Sequence, residues 1–339
     1  MPLELHRGTN ISHWLSQSAR RGDERRAFFT ETDVRRLADW GLDHLRLPVD
    51  EEQLWDGRGR PIAEAFDLLD AALDWCADAG LRAVVDLHIL RSHHFNAAEP
   101  ARLFTDPAEA GRLADLWRQL SSRLRERPTD AVAYELLNEA VAPDDEDWNR
   151  VAMVAFNAVR DLEPARTIVL GSNSWNSATT YDALRIPEDR QTILTFHYYR
   201  PMLVTHYRAS WWAGGRGYEG PVHYPGRPIA QADLPAARAV LGDALDDLNQ
   251  PYDRAHMEAD LAQPLAARRR TGLPLYCGEF GVYQFTPAAA RAAWYRDFIS
   301  VLAALDIAWA NWDYKGGFGL VDNDGRPTVL AEILVKPEP

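Results

Sequence analysis

The chain of 339 residues is 46% hydrophobic and 26% charged, which is typical of a globular protein with a sizeable core and excludes a disordered one. The 50 Asp and Glu residues outnumber the 37 Lys and Arg residues, and the formal net charge of -13 argues against nucleic acid and anionic membranes as partners. No stretch approaches the roughly 18 consecutive apolar residues that a membrane-spanning helix requires.

The cellular compartment is predicted from the N-terminus and the cysteines. The first residues lack the basic start and apolar stretch of a secretory signal, so the sequence as written predicts a cytoplasmic protein, secreted only if a leader has been removed. Cys76 lies in a helical pattern and Cys277 in an apolar strand. Both are predicted to be buried thiols, with no disulfide framework or metal site.

The N-terminal part of the chain alternates short apolar segments with longer segments of helical period, which indicates repeated β-α units around a parallel sheet. The predicted strands are 5–10, 44–49, 81–89 and 131–138. The predicted helices are 31–40, 65–79 and 106–127. Thr30 can cap the first of these helices, and Gly41 can end it.

The C-terminal part repeats this alternation. Its predicted helices are 146–162, a weaker segment at 181–186, 253–270 and 288–304, and its predicted strands are 167–172, 192–199, 274–280 and 307–312. Eight strands are the number at which a (β/α)8 barrel closes. An open doubly wound sheet, the alternative, would begin with a glycine-rich phosphate turn, and none follows the first strand. We therefore predict the α/β class, a TIM barrel, as a single domain over residues 1–339.

One connection is unusually long. Residues 200–252, inserted after the sixth strand, exceed the usual loop limit of about 15 residues. They include the aromatic residues Trp211, Trp212, Tyr218, His223 and Tyr224 among several Gly and Pro residues. This composition suits a cleft wall or a contact between subunits of a homo-oligomer, and it equally suits a surface loop that packs on its own aromatics.

Polar residues at the ends of apolar strands are the candidate site residues, because the active site of a barrel lies where its strands end. This criterion selects Arg46, His88, Asn138, Glu139, His197, Tyr199, Glu279 and Trp312. Glu139 and Glu279, after the fourth strand and the seventh, would face each other across the barrel mouth. Glycoside hydrolysis uses such a pair, with one carboxyl protonated and the other ionised, and a separation of about 5–5.5 Å gives retention of configuration.

Two motifs resemble those of glycoside hydrolase family 5, the cellulase family of barrel hydrolases. Leu137-Asn138-Glu139 resembles the acid/base motif of the family, and Gly278-Glu279-Phe280-Gly281 resembles its nucleophile motif. The other candidate residues occur in the expected order on the expected strands, so the resemblance extends over essentially the whole chain. It implies a retaining β-glycosidase with Glu139 as acid/base and Glu279 as nucleophile, without a cofactor or a metal ion.

The resemblance also implies how the two glutamates are kept in different protonation states. Arg46 and the Tyr199 hydroxyl would hold Glu279 ionised by charge and by a hydrogen bond. The charge of Glu279 would in turn raise the pKa of Glu139, which would fall again once the glycosyl-enzyme has formed. Asn138 would bind the sugar 2-hydroxyl, a contact that strengthens in the transition state.

Further residues are assigned to the walls of the cleft. His88 and His197 would complete the polar surroundings of the glutamates. Trp312 offers a flat apolar face on which a pyranose ring can lie, and Trp14 or Trp175 is assigned the same role elsewhere in the cleft.

The expected substrate is β-1,4-linked glucan or cello-oligosaccharides. Residues 313–320 resemble a loop of family members that act on β-glucans, and the absence of a leader and of a binding module favours soluble substrates over crystalline polysaccharide. β-Mannan, xylan and small β-glucosides stay open, because Asn138 and Trp312 do not distinguish glucose from its relatives.

Two other classes of function are considered. One is a barrel without catalytic activity that binds carbohydrate through its aromatic cleft. The other is a metal-dependent hydrolase that uses His88, His93 and His94 with a carboxylate. No carboxylate or cysteine spacing around His93 and His94 forms a recognisable ligand set, so this pair is predicted to lie in a solvated loop.

Overall fold

In the computed structural model, which describes residues 2–97, 99–215 and 217–335, eight parallel strands form a closed barrel in chain order. The strands are β1 Arg7–Asn10, β2 His44–Val49, β3 Arg82–Leu87, β4 Val132–Glu135, β5 Ile168–Gly171, β6 Thr192–Tyr198, β7 Leu275–Phe280 and β8 Ala308–Asn311. β8 pairs in parallel with β1 and closes the ring. The predicted (β/α)8 barrel is confirmed, and most strands are shorter than predicted.

Helices follow most of the strands along the outside of the barrel. They are Gly22–Phe28, Glu31–Asp39, Glu51–Leu54, Ala63–Asp78, Arg102–Thr105, Pro107–Leu124, Asp145–Arg160, Asn173–Asn176, Met202–Thr205, Leu234–Leu241, Ala244–Leu248, Arg254–Asp260, Ala262–Thr271, Ala288–Ala304 and Val329–Leu334. At the second of these, the Asp33 side chain accepts a hydrogen bond from the Thr30 backbone N–H at 2.9 Å, as in a capping box. No helix in the described part of the chain has the length and apolar character needed to cross a membrane.

Alternate strand residues point into the barrel and form an apolar layer beneath a polar one. The apolar layer consists of Val84, Ala133, Val169, Ile193, Tyr276 and Ala310 from the strands, together with Leu3 and Leu5, which precede β1. Two positions further along β3 and β4 come Asp86 and Glu135, both fully buried. Because side chains alternate between the faces of a strand, these two carboxyls also point inwards. The interior of the barrel is therefore polar towards the carboxyl ends of the strands.

The main hydrophobic core lies between the outward faces of the strands and the helices. Leu87 of β3 belongs to it, as do Leu69 and Trp117 from two of the long helices. Cys76 and Cys277 are also part of this core, and both are free and buried. The prediction that the cysteines are buried thiols is confirmed.

The prediction of a helix at 181–186 is wrong. The Asn149 side chain accepts a hydrogen bond from the Arg185 backbone N–H at 2.8 Å and donates one to the Ala183 carbonyl at 2.9 Å. Short segments are poor helix formers in isolation, so these contacts with another part of the chain decide the backbone conformation.

The helix predicted at 253–270 is interrupted. It forms two helices that meet at Leu261. Pro264 lacks the backbone N–H that would bond the carbonyl of Asp260, so the intrahelical hydrogen bonds cannot continue across this point.

The predicted loop at 200–252 is not an irregular loop. Its described residues include the short α-helices Met202–Thr205, Leu234–Leu241 and Ala244–Leu248 and the 3-10 helices Ala213–Gly215 and Gln231–Asp233. Residues of this segment form a separate hydrophobic cluster of Leu203, Tyr207, Tyr218, Val222, Ile229, Ala237, Leu241 and Leu245, against which Trp212 packs. Trp211 stays 47% exposed. The homo-oligomer contact predicted for this segment stays a prediction.

Candidate active site

The two glutamates selected from the sequence lie together at the carboxyl end of the barrel. One oxygen of Glu139, one oxygen of Glu279 and a ring nitrogen of His197 lie within 4.8 Å of one another. His197 Nδ1 is 2.9 Å from Glu139 Oε1 and 3.6 Å from Glu279 Oε2. Glu139 is 8% exposed and Glu279 is 4% exposed, so both carboxyls are almost removed from bulk water.

Glu139 lies in the loop after β4, not at the end of the strand as predicted from the sequence. β4 ends at Glu135, and the chain then approaches β3, where the Asn138 backbone N–H donates to the Leu87 carbonyl at 2.9 Å. Glu139 has a φ of 44°, in the left-handed region that residues other than glycine rarely adopt. Backbone strain of this kind costs stability and is concentrated at functional sites.

Glu279 lies in β7 next to an irregularity in the strand pairing. His197 of β6 pairs with Glu279, but the preceding pair leaves Gly278 without a partner on β6. A Cβ at Gly278 would lie 2.8 Å from Thr195 Oγ1, so only glycine fits at this point. The bulge thereby brings Glu279 level with His197.

Arg46 is the buried centre of the site and lies in the middle of β2 instead of at its end. Its Nη1 donates to Glu279 Oε1 at 2.7 Å and to Asn10 Oδ1 at 2.8 Å. Its Nε and Nη2 donate to the two oxygens of Glu135 at 2.8 and 2.9 Å. Nη2 also donates to Asn138 Oδ1 at 2.9 Å. A guanidinium is suited to this role because its planar fork can bind several acceptors at once.

A third carboxyl, that of Asp86, shares the same guanidinium. Arg46 Nη2 is 3.0 Å from Asp86 Oδ2, which also lies 2.8 Å from His88 Nδ1. Burial raises the pKa of Asp86 to about 7 and the pKa of Glu135 to about 7, and the charge of Arg46 opposes both rises. One cation thus faces the carboxyls of Asp86, Glu135 and Glu279.

Asp86 and Glu135 were not selected from the sequence, although a signal for them exists. Inward-facing positions of a strand recur at every second residue. Asp86 is two positions before His88, and Glu135 is four positions before Glu139. A carboxyl within an apolar strand, at an even spacing from a site residue, therefore indicates a buried partner of that site.

The surroundings of the two glutamates favour a proton on Glu139. Burial and the negative charge of Glu279 raise the pKa of Glu139 well above its usual range. Burial raises the pKa of Glu279 as well, but Arg46 opposes the rise, as does the Tyr199 hydroxyl, which donates to Glu279 Oε2 at 2.9 Å. Burial lowers the pKa of His197 well below its usual range, so this imidazole is neutral at neutral pH.

His88 and Trp312 stack on each other at one side of the site. Their ring centroids are 5.4 Å apart, and their planes differ by 6°. His88 Nε2 lies 3.1 Å from Gln17 Nε2, and burial lowers the pKa of His88 to about 3, so the ring is neutral. Trp312 is 8% exposed, and His88 covers one face of its indole ring. A sugar ring can therefore contact only the part of the indole that His88 leaves uncovered.

Asn176 is a further site residue that the sequence motifs did not reveal. Its Nδ2 lies 3.3 Å from His197 Nε2. Ser174, Trp175 and Asn176 have φ values of 56°, 62° and 51°, so three successive residues adopt the left-handed conformation. A Cβ at Gly171 would lie 2.5 Å from Asn176 Oδ1, and the glycine that ends β5 leaves room for this turn. The turn after β5 thus holds the imidazole beside the glutamates.

The assignment of Trp14 as an alternative to Trp175 is wrong, and so is the solvated-loop prediction for His93. Trp14 is 1% exposed, its indole N–H donates to the Arg25 carbonyl, and its ring packs on Phe29, so it cannot be a sugar platform. His93 does not lie in a solvated loop, because it is 2% exposed and its Nε2 accepts from the Val141 backbone N–H at 3.2 Å.

The three histidines considered as metal ligands do not form a ligand group. Within the described ranges, the group of His, Cys, Asp and Glu residues with the spacing of a metal site is Glu139, His197 and Glu279. Both oxygens of Glu279 already accept hydrogen bonds, from Arg46 and from Tyr199. With both oxygens occupied by hydrogen-bond donors, Glu279 fits a hydrogen-bonded carboxylate better than a metal ligand.

The role of the shared cation predicts a loss of stability on its removal. We expect Arg46→Met to lower the free energy of unfolding by about 3–5 kcal/mol, because it leaves buried carboxyls without their partner. Arg46→Lys keeps the charge but not the fork of donors and should lose less. Urea-induced unfolding measures both values, and an Arg46→Met variant as stable as the wild type would contradict this role.

A closed β/α barrel with two facing carboxyls at the carboxyl ends of its strands defines a barrel glycoside hydrolase. The sequence model of the cellulase family, glycosyl hydrolase family 5, matches residues 8–317. The chain belongs to this family and is a glycoside hydrolase. It is 31% identical over 331 residues to Endoglucanase C from Acetivibrio thermocellus, covering 96% of each chain. It is 29% identical over 295 residues to Cellodextrinase A from Ruminococcus flavefaciens, covering 86% of this chain and 80% of that relative.

Solved structures share the fold at lower sequence identity. Cel5A from Thermotoga maritima in complex with cellobiose superposes with a TM-score of 0.78 at 22% identity, over 98% of this chain and 97% of that chain. The same protein in complex with mannotriose gives the same TM-score, identity and coverage. The cellulose synthase subunit Z from Clostridioides difficile superposes with a TM-score of 0.77 at 21% identity, over 98% of this chain and 100% of that chain.

Proposed function

We propose that the protein hydrolyses β-1,4-linked glucan and cello-oligosaccharides with retention of configuration, using Glu139 as acid/base and Glu279 as nucleophile. The observation that carries this proposal is the approach of the two carboxyls to within 4.8 Å. Carboxyl groups about 5–5.5 Å apart are typical of retaining glycosidases, whereas inverting enzymes need about 6.5–9.5 Å to place a water molecule between sugar and base.

In the first half-reaction, the Glu279 carboxylate attacks the anomeric carbon while Glu139 gives its proton to the glycosidic oxygen. The bond to the leaving sugar breaks as the bond to Glu279 forms, which yields a glycosyl-enzyme and a free sugar hydroxyl. The hydrogen bonds from Arg46 and Tyr199 favour the ionised nucleophile that this step requires.

In the second half-reaction, Glu139 acts as a base. Glu139 has given up its proton in the first half-reaction, and because the ester on Glu279 carries no charge, the repulsion that raised the pKa of Glu139 disappears and the group stays ionised. It then takes a proton from water, whose oxygen attacks the anomeric carbon and releases the Glu279 carboxylate. Two successive inversions leave the product with the configuration of the substrate.

Recognition of the sugar is supported by an unsatisfied donor at the site. Asn138 Nδ2 is buried and has no hydrogen-bond partner within the described ranges, while its Oδ1 accepts from Arg46. A buried polar group without a partner costs about 1–3 kcal/mol, which a ligand hydroxyl can recover. We assign this donor to the 2-hydroxyl of the sugar that bonds to Glu279, and the free part of Trp312 to the apolar face of that sugar.

The choice of substrate rests on the relatives. The names of Endoglucanase C and Cellodextrinase A support a β-glucan substrate, and the mannotriose complex of the Thermotoga maritima protein supports β-mannan as the second candidate. Reducing-sugar release from soluble glucan, mannan and xylan should be highest on glucan. The anomer first released from cellohexaose, followed by NMR, should be the β-anomer. Release of the α-anomer, or no hydrolysis of any β-glycoside, would refute the proposal.

Activity should follow a bell-shaped pH profile. Catalysis needs Glu279 ionised, and because burial raises its pKa, kcat/KM should rise at a pH above that of an ordinary carboxyl. Catalysis also needs Glu139 protonated, so kcat/KM should fall as the pH passes the raised pKa of this group. Initial rates between about pH 4 and pH 9 measure both limbs. In Glu139→Gln the alkaline limb should disappear, and an unchanged limb would assign the acid to another group.

A further inference from the structure

His197 connects the two glutamates to the turn after β5. Its Nδ1 lies 2.9 Å from Glu139 Oε1 and 3.6 Å from Glu279 Oε2, and its Nε2 lies 3.3 Å from Asn176 Nδ2. Burial and the charge of Arg46 lower the pKa of His197 well below its usual range, so the ring is neutral and carries one N–H proton. A neutral imidazole donates from one nitrogen and accepts at the other, and its partners decide which tautomer forms.

The amide group of Asn176 selects one of the two tautomers. Its Nδ2 carries two hydrogens and can only donate, so the imidazole nitrogen that faces it must accept. The ring proton of His197 therefore lies on Nδ1, which donates to Glu139 Oε1 at 2.9 Å. The three groups thus form one chain of hydrogen bonds in which each donates to the next, from the amide through the imidazole to the carboxyl.

The position of this amide is set by the backbone of the turn. Asn176 is fully buried, and its φ of 51° lies in the left-handed region, which asparagine tolerates better than most residues. The next residue, Ser177, forms a parallel bridge with His197 itself. A further neighbour of His197 Nε2 is Gly278, which has no side chain to offer, and even a Cβ there would lie 3.3 Å from the nitrogen. Asn176 therefore supplies the hydrogen-bond partner of this ring nitrogen.

We propose that Asn176 is a positioning residue for the acid/base, because it holds His197 in the Nδ1–H tautomer and thereby reserves Oε2 of Glu139 for the catalytic proton. The inference rests on the proposed function and extends it to the choice of carboxyl oxygen. Oε1 accepts the imidazole N–H, so the proton that Glu139 gives to the glycosidic oxygen must be carried by the other oxygen. In the opposite tautomer, Nδ1 would be an acceptor 2.9 Å from Oε1, and Glu139 would donate its proton to the ring instead of the substrate.

The same hydrogen bond serves the second half-reaction. Once Glu139 has given up its proton, the donor on Nδ1 of His197 stabilises the carboxylate that must act as base. The proton that leaves Oε2 passes to the departing sugar, and the proton taken from water returns to Oε2, so the imidazole keeps its own proton throughout. Asn176 influences both steps through His197, without touching a reacting atom.

Asn176→Asp tests the assignment, because a carboxylate can only accept a hydrogen bond and therefore requires a proton on Nε2 of His197. Aspartate also tolerates the left-handed conformation, so the fold should persist. NMR of the ¹⁵N-labelled histidines shows which ring nitrogen is protonated, and His197→Ala identifies the signal of this residue. We expect the proton on Nδ1 in the wild-type protein and a proton on Nε2 in Asn176→Asp.

The expected change in rate depends on the leaving group. Asn176→Asp should lower kcat on cellohexaose about 10²-fold, within the range that a general acid contributes, and leave KM close to that of the wild type. The first half-reaction on a dinitrophenyl β-cellobioside, whose leaving group needs no proton, should change little. Asn176→Gly tolerates the same backbone conformation and should show the same split with a smaller loss, because water can replace the amide as donor. Asn157→Asp makes the same change at an exposed helix position and is the matched control, which should leave the rates on both substrates unchanged.

Three results would overturn the inference. A proton on Nε2 of His197 in the wild-type protein would mean that the oxygen of the Asn176 amide faces the ring. Equal losses on the two substrates in Asn176→Asp would show that the residue only supports the fold, and unchanged kinetics would show that it does not control the acid/base. Failure of the wild-type protein to hydrolyse either substrate would instead refute the proposed function, and because the NMR measurement needs no activity, the two failures are distinguishable.

Discussion

Replacement of Glu279 by glutamine should reduce kcat on cellohexaose by about 10⁴-fold or more, because an amide cannot form the glycosyl ester on which both half-reactions depend. The change is close to isosteric, so the fold should persist, although Arg46 loses one charged acceptor. Product release from cellohexaose measures the rate, and circular dichroism checks that the purified variant is folded.

The chemistry of the Glu279 position is tested further by an external nucleophile. In Glu279→Ala, azide can attack an activated aryl β-glycoside directly, and the expected product is a glycosyl azide of inverted configuration. Glu188→Gln serves as the matched control, because this exposed glutamate lies before β6 at the other end of the barrel. Its activity should equal that of the wild type, and full activity of Glu279→Ala without azide would end the assignment.

Replacement of Glu139 by alanine should have an effect that depends on the leaving group. In cello-oligosaccharides the leaving group is a sugar alkoxide, which leaves poorly unless it is protonated. The kcat on these substrates should therefore fall by about 10²- to 10⁴-fold. A dinitrophenyl β-cellobioside needs no protonation, so its first half-reaction should stay close to the wild-type rate. Steady-state and burst kinetics on the two substrates measure this difference.

Azide distinguishes the role of Glu139 from that of Glu279. In Glu139→Ala it can replace the water that no longer has a base, which should accelerate turnover and give a glycosyl azide of retained configuration. NMR of the azide products reads out the configuration for each variant. Glycosyl azides of the opposite configurations would mean that Glu139 is the nucleophile and Glu279 the acid/base. An equal loss of kcat on both substrates in Glu139→Ala would contradict the role of Glu139 as the acid.

Local patterns in the sequence suffice to predict much of the fold and of the candidate site. Apolar residues recur every second position in a strand and about every 3.6 positions in a helix, and each pattern reflects the burial of that one element. The eight strands and the capped helix after Thr30 can therefore be predicted one at a time. The candidate residues are predictable because polar groups at the ends of parallel strands meet at one end of a barrel. The glutamate motifs at Glu139 and Glu279 add the expected chemistry.

Other features depend on contacts between residues far apart in the chain. Arg46 meets Glu279 across a sequence separation of 233 residues, and the buried partners Asp86 and Glu135 join the same guanidinium only when the strands close into a ring. The helix expected at 181–186 fails because Asn149 offers its backbone other hydrogen bonds.

The spacing between the two glutamate carboxyls illustrates why such features cannot be predicted from the sequence. The distance between Glu139 and Glu279 depends on strand register, on the bulge at Gly278 and on the left-handed conformation of Glu139. Each of these follows from packing against neighbouring strands, and no local propensity encodes them. The residue types that carry the chemistry are thus local properties of the chain, whereas their protonation states and distances arise from burial in the closed barrel.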